Sequence, residues 1–227
     1  MILERLISPT APEDALTNYY AFQHSRTTLR TFSRGGAVEG FLAICQTGQD
    51  LFTPLVVMRA FSDDGLGALM QEHLDARREY LFNVREDMAA TLRQYLVIRD
   101  EAISRIHTVN QAGFRPVINV LVQRSSTANG HPRFEIRSGG EVGAVGAVAW
   151  QSDRFAEIGV STIPTQRRRG WGKAVVSACT SVVLAAGLTP LYVVAEDNLP
   201  SIHIAETLGY RFTGKCEFSC RGRLRVV

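Results

Sequence analysis

Two stretches of this chain, about 105 residues apart, spell the same order of elements, and few folds can satisfy that order twice. In the first, "TTLRTF" and "EGFLAICQ" read as strands, and "LFTPLVVMRA" reads as a third, partly buried, with Pro54 near its start. "SDDGLG" follows, then an amphipathic helix over 66–76, a short strand "REYLFNV" and a helix "EDMAATLRQYL". A helix with acidic residues in its first turn is expected ahead of these, over 12–23. The second stretch opens with strands "PVINVLVQR" and "RFEIRS", split by the polar loop "SSTANGHP". "EVGAVGAVAWQ" and "FAEIGVSTI" are joined by the hairpin turn "SDR". "RRRGWG" comes next, with a helix over 172–186 stopped by Gly187 and the apolar strand "PLYVVAED". A helix "PSIHIAETLGY", bounded by Pro200 and Gly209, and the strand-like "GKCEFSCRGRLRVV" close the chain. Sliding one half onto the other sets "EGFLAICQ" on "VGAVAWQ" and the GLG of Gly65–Gly67 on the GWG of Gly170–Gly172. We read an internal duplication in an α/β chain with a mixed sheet, divided into residues 1–110 and 111–227.

The two parts differ in charge. Residues 1–110 hold 11 Lys and Arg against 14 Asp and Glu, net −3; residues 111–227 hold 14 against 8, net +6. The surplus of cations suits the second part to an anionic ligand. The chain is 45% hydrophobic and 21% charged, as globular proteins are. No apolar run reaches the roughly 18 residues of a membrane span, and charges break up the short apolar start, which excludes a signal peptide. Cys45, Cys179, Cys216 and Cys220 make no disulfide framework, so a cytoplasmic location is expected, with no membrane partner.

The loop from Arg167 to Gly172 carries the chemistry. It joins a strand to a helix whose first N–H groups are unpaired and whose start is positively polarised. Glycines let an anion approach the backbone, and Arg167, Arg168 and Arg169 add charge-assisted donors. This is a cradle for phosphate, and better for pyrophosphate. It is neither G-x-x-x-x-G-K-[ST] nor G-x-G-x-x-G, since Ala174 and Val175 follow Gly172. An arginine patch for nucleic acid would need aromatic platforms or a broader basic stripe, so no nucleic-acid partner is expected.

Residues 140–214 resemble the acyl-CoA core of the GNAT superfamily of N-acetyltransferases. Arg167, Gly170 and Gly172 fit its pyrophosphate motif, and Asn198, Ser201, Leu208, Gly209 and Tyr210 fit its later signature. The first half matches only as a degraded copy, so the resemblance implies a pseudo-tandem GNAT-like acyl-CoA N-acyltransferase fold. It implies acetyl-CoA as co-substrate, no metal, and a small-molecule or amino-acid-like amine as acceptor. Val160, Ser161 and Thr162 would receive the pantetheine arm, with the Val160 amide polarising the thioester carbonyl. Arg167, Arg168, Arg169, Gly170, Trp171, Gly172 and Lys173 would hold the pyrophosphate, and Asn198 and Ser201 the pantetheine end. Glu157 stands where some members place a general base.

One departure stands out. The tyrosine that many members use to protonate the thiolate is replaced by Ala205, and the nearest substitutes in sequence are His203 and Tyr210. The alternative function is therefore a catalytically silent acyl-CoA-binding or regulatory module. Asp63 and Asp64, set where the second half has arginines, would repel a pyrophosphate, so the first half is expected to have kept the fold, lost the cofactor and come to shape the acceptor pocket. Ala174, Ala178, Val182 and Ala185 form the expected core stripe of the helix over 172–186, and Trp171 is expected to pack at its start. The five histidines lack ligand spacing, and Cys216 and Cys220 would share a strand face as packing residues. Oligomeric state stays open, a homodimer included.

Overall fold

The computed structural model describes residues 5–48 and 50–226. A short helical stretch comes first: a 3-10 turn over Pro12–Asp14, α1 (Ala15–Asn18) and a π turn over Tyr19–Gln23. Then follow β1 (Thr27–Arg34), β2 (Ala37–Cys45), β3 (Leu55–Ala60), α2 (Asp63–His73), β4 (Tyr80–Arg85), α3 (Ala89–Tyr95) and β5 (Leu96–Thr108). The later elements are β6 (Gln123–Ser126), β7 (Pro132–Ser138), β8 (Glu141–Gln151), β9 (Phe155–Thr162), α4 (Trp171–Ala185), β10 (Thr189–Ala195), α5 (Leu199–Thr207) and β11 (Arg211–Leu224). Among the described residues no helix is long and apolar enough to cross a membrane.

The chain forms two compact units, one of residues 105–214 and one of the residues before and after. The division differs from a cut at 110/111, because residues from Lys215 onward belong with the first unit. The strand order shows why. In the first unit the order is β1-β2-β3-β4-β11-β5, so β11 rather than β5 lies beside β4, with Glu217↔Arg85 through Gly222↔Tyr80 in antiparallel register. In the second unit the order is β5-β10-β9-β8-β7-β6. In both, the strand that follows the second helix of a half lies away from the strand preceding that helix.

In the second unit α4 packs across β7, β8 and β9. Val175, Cys179 and Val183 are its most buried stripe, with Ala174 and Val176 beside them. The expected stripe is rotated: Ala178 and Val182 are half-buried and Ala185 is exposed, because the larger valines take the core. Each buried valine contributes about 1.5–3 kcal/mol of transfer free energy, so the rotation favours the fold. Trp171 packs against Gly143, where a Cβ would sit 2.6 Å from the indole. The first unit has an equivalent core of Leu42, Met58, Leu69, Phe82 and Leu92 between α2, α3 and the sheet.

Two expectations change. "PVINVLVQR" is not a strand as a whole: strand begins only at Gln123, and Ile118 and Val120 are 93% and 94% exposed. Among the described residues no strand pairs with 116–122, and Val117 N–H donates to Ser177 Oγ at 2.8 Å. The GLG of Gly65–Gly67 is not a loop. It lies inside α2, whose N-cap is Ser62, and only two residues separate β3 from α2. Gly67 is a packing residue: a Cβ there would lie 2.2 Å from Tyr95 Cζ.

Candidate active site

Two strands part at the centre of the second unit. β9 and β10 run parallel through three pairs only, Phe155↔Thr189, Ala156↔Pro190 and Glu157↔Leu191. Beyond Glu157, β9 keeps its other neighbour, with Gly146↔Val160, Val145↔Ser161 and Ala144↔Thr162 on β8. A register shift between Val148 and Trp150 of β8 adds twist beside the point of parting. From Ile158 to Thr162 one backbone edge of β9 thus has no strand against it, and such an edge accepts an extended amide-bearing chain by β-type hydrogen bonds. Val160, Ser161 and Thr162 lie on this edge.

The same strand leads into the arginine loop. A 3-10 turn over Pro164–Gln166 is followed by Arg167, whose Nε donates to the Thr162 carbonyl at 3.5 Å. Arg168 is left-handed at φ 65 and Gly170 at φ 76. Arg168 stores about 1 kcal/mol or more of strain, the kind of outlier found where a backbone is shaped for a ligand. Gly170 is the N-cap of α4, and no side chain caps that helix end. There is no acidic residue in its first turn, while Arg167, Arg168 and Arg169 are exposed and Lys173 is half-buried. Arg169 lies over the Trp171 ring, 5.4 Å from its centroid. Gly172 sits close to the fork, since a Cβ there would be 3.0 Å from Thr162 Oγ1 and 3.3 Å from Ile204 Cδ1. The loop therefore presents uncapped N–H groups and cations immediately beyond the open edge of β9.

Across the fork, Asn198 caps α5 by accepting from Ser201 N–H at 3.3 Å. Ser201 Oγ and Tyr192 Oη form a 2.6 Å hydrogen bond. Tyr192 is the first residue of β10 beyond its last pair with β9, and burial pushes its phenol pKa up.

Residues 136–219 match the FR47-like protein family model. Most of the chain is similar in fold to solved proteins of the GNAT family. One from Novosphingobium aromaticivorans shares 16% identity over 85% of this chain and 91% of its own, with TM-score 0.62. A GCN5-related N-acetyltransferase from Kribbella flavida shares 16% over 87% and 93%, also with TM-score 0.62. A tandem GNAT protein from the clavulanic acid biosynthesis pathway shares 12% over 92% and 86%, with TM-score 0.58. No curated protein sequence matches. The chain is a GNAT-fold protein.

Within this GNAT fold the remaining site residues are placed as follows. Glu157 is the last residue of β9 paired with β10, and its Oε2 accepts from Trp150 Nε1 at 2.6 Å. Ala205 is fully buried in the core on α5. Tyr210, fully buried, is committed to Thr180: its Oη lies 2.7 Å from Thr180 Oγ1, which donates to the Val176 carbonyl at 2.8 Å. Burial, the largest cause, drives the Tyr210 phenol pKa far up, away from proton donation near neutral pH. His203 is exposed on α5. Cys216 is half-buried and Cys220 buried, with the Cys220 thiol pushed up to about 12 by burial, and no disulfide joins them. Sequence reasoning missed Tyr192. Its signal is a single hydroxyl-bearing aromatic in an aliphatic strand, which once buried demands a polar partner.

Proposed function

We propose that this chain is an acyl-CoA-dependent N-acetyltransferase that moves an acetyl group from acetyl-CoA to the amine of a small-molecule acceptor. The observation that carries this reading is the conjunction of the open β9 edge with the uncapped, cation-rich start of α4. A pantetheine arm bears two amides and suits such an edge; a diphosphate suits the loop beyond it.

Acetyl-CoA supplies a thioester already activated toward amines, so the chain's own residues have modest tasks. The edge of Val160–Thr162 orients the arm, and the Val160 N–H polarises the carbonyl as negative charge develops on its oxygen. Arg167, Arg168, Arg169 and the N–H groups of Trp171, Gly172 and Lys173 hold the diphosphate. Asn198 and Ser201, whose hydroxyl is held by Tyr192, meet the pantetheine end. Glu157, already bonded to Trp150, takes the amine proton directly or through water.

The direct test incubates the full chain with acetyl-CoA and a panel of primary amines while thiol release is followed. Turnover with any amine above the amine-free rate supports the assignment. A second reading, acyl-CoA binding without turnover, draws on Ala205 and on the commitment of Tyr210 to Thr180. Tight CoA binding with no turnover over a broad panel would select it.

A further inference from the structure

A cavity of the second unit lies away from the fork. It is an open groove of about 680 Å³ at the C-terminal end of α4 and the start of β10. Its far wall is the segment that follows β5. With 15 residues in α4, it lies about 22 Å along the helix from the arginine loop.

The groove has a fixed rim. Arg115 N–H donates to the Leu208 carbonyl at 2.9 Å, and Gly113 N–H to Asn110 Oδ1 at 2.8 Å. Gly209, at φ +94, comes so near this segment that a Cβ would lie 1.9 Å from the Gly113 carbonyl oxygen. The end of α4 is closed by its own backbone, with Gly187 N–H on the Leu184 carbonyl and Leu188 N–H on that of Val183. The carbonyls that would otherwise attract cations are thus partly spent.

The lining holds two guanidinium groups, Arg115 and Arg211, and no carboxylate. Neither arginine is in an ion pair among the described residues, although most other arginines of the chain are paired or stacked. Asn110, Gln111 and Thr189 add neutral donors. Two unpaired planar cations beside amides and a hydroxyl, in a concave site with a fixed rim, match the oxygens of an anion.

We propose that this groove is a second anion site, taking a small ligand that bears phosphate or paired carboxylate oxygens. It stands independently of the acetyltransferase reading, because Arg115 and Arg211 belong to neither the fork nor the arginine loop. The test is calorimetric titration of the full chain with sodium phosphate and, separately, sodium malonate, at ionic strength held constant with sodium chloride. The comparison is between the wild type, an Arg115→Glu/Arg211→Glu variant and an Arg167→Glu/Arg169→Glu variant. We expect saturable binding of at least one anion, weakened tenfold or more in the groove variant and within twofold of wild type in the loop variant. Phosphate alone would identify a phosphate ester as the ligand class, malonate alone a dicarboxylate. If the groove pair lowers the helical signal in circular dichroism, the single Arg211→Gln variant replaces it, with a threefold or greater loss expected. Absence of saturable binding by either anion, or a loss confined to the loop variant, overturns the proposal.

Discussion

Gly170 and Ser62 hold the same position, the N-cap of the helix that follows β9 in the second unit and β3 in the first, with opposite chemical outcomes. Ser62 Oγ accepts from Gly65 N–H at 3.1 Å, and Asp63 and Asp64 complement the helix end from within. Gly170 offers no side chain, so the donors of α4 stay available to a ligand, and the three arginines before it supply the charge. Arg167→Glu with Arg169→Glu should therefore weaken CoA binding by roughly 30-fold or more, a loss of about 2 kcal/mol, with the circular dichroism spectrum unchanged. Titration calorimetry checks this, and affinity equal to wild type would remove the cradle. Tyr192→Phe deletes the partner of Ser201 Oγ while leaving the ring against Tyr210, 5.7 Å away. If the phenol holds Ser201 for catalysis, KM for acetyl-CoA rises severalfold while kcat changes less, and stability falls by about 1 kcal/mol. A fall in stability with KM untouched would reduce Tyr192 to a core residue. Much of this neighbourhood could be read from residue types, because a glycine N-cap, flanking arginines and a following apolar helix are local features. The Tyr192–Ser201 bond could not, since it joins residues on different elements and depends on how β10 faces α5.

Elements depend on their neighbours, and the buried pairs of the first unit show how strongly. Arg59 on β3 is almost wholly buried; its Nε and Nη2 donate to Asp14 Oδ1 at 3.2 and 3.1 Å, and its Nη1 to the Met58 carbonyl at 2.8 Å. β3 pairs with β4 only at Leu55↔Leu81 and Val56↔Phe82, so Met58 lies past that pairing and the guanidinium provides its acceptor with a donor. The helical stretch containing Asp14 is thereby fastened to the sheet. Asp14→Ala should destabilise the chain by about 3–5 kcal/mol in denaturant unfolding, because the arginine would remain buried and unpaired. Glu217 on β11 is buried beside the same arginine and accepts from Asn83 Nδ2 at 3.0 Å; desolvation, outweighing both partners, raises its pKa. A carboxyl raised in the folded state binds its proton more tightly than in the unfolded state. Its favourable contribution is therefore full below the ordinary carboxyl pKa and is lost as pH rises through the folded value. Glu217→Gln should match wild type in stability near pH 4 and exceed it increasingly toward pH 8, as read from urea midpoints; a parallel pair of pH profiles would contradict this. Sequence pattern captured most helices and strands here, yet not β5. There Arg99, Asp100 and Glu101 interrupt alternation and Asp100 turns left-handed at φ 53. Those charges are satisfied on the surface, Arg99 by Glu79 and Glu101 by Arg93, which only the folded chain reveals.

At the scale of the whole molecule, the order of three strands, helix, strand, helix and strand occurs twice, while the proposed chemistry is assigned to one copy. Eight residues separate β9 from α4, long enough to form the arginine loop; two separate β3 from α2. In the second unit the parting of β9 from β10 leaves an open backbone edge. In the first, the corresponding parting of β3 from β4 has the Arg59 guanidinium bonded to Met58 and to the Glu13 carbonyl, with Asp14 balancing its charge. A helix start capped by serine and bordered by Asp63 and Asp64 repels a diphosphate, and Thr91 Oγ1 donates to Asp63 Oδ1, fixing one of those carboxylates in place. Calorimetry with CoA should therefore give one site per chain. Reversing charge in the first unit alone, Asp63→Arg with Asp64→Arg, should leave both stoichiometry and affinity within twofold of wild type, because the two-residue connection has no room for a cradle. Reversing it in the loop, as above, should weaken the single event. Two sites per chain, or a second event appearing in the Asp63→Arg/Asp64→Arg variant, would mean that the short connection and the Arg59 plug do not bar the first unit. The asymmetry between the halves would then lie only in surface charge.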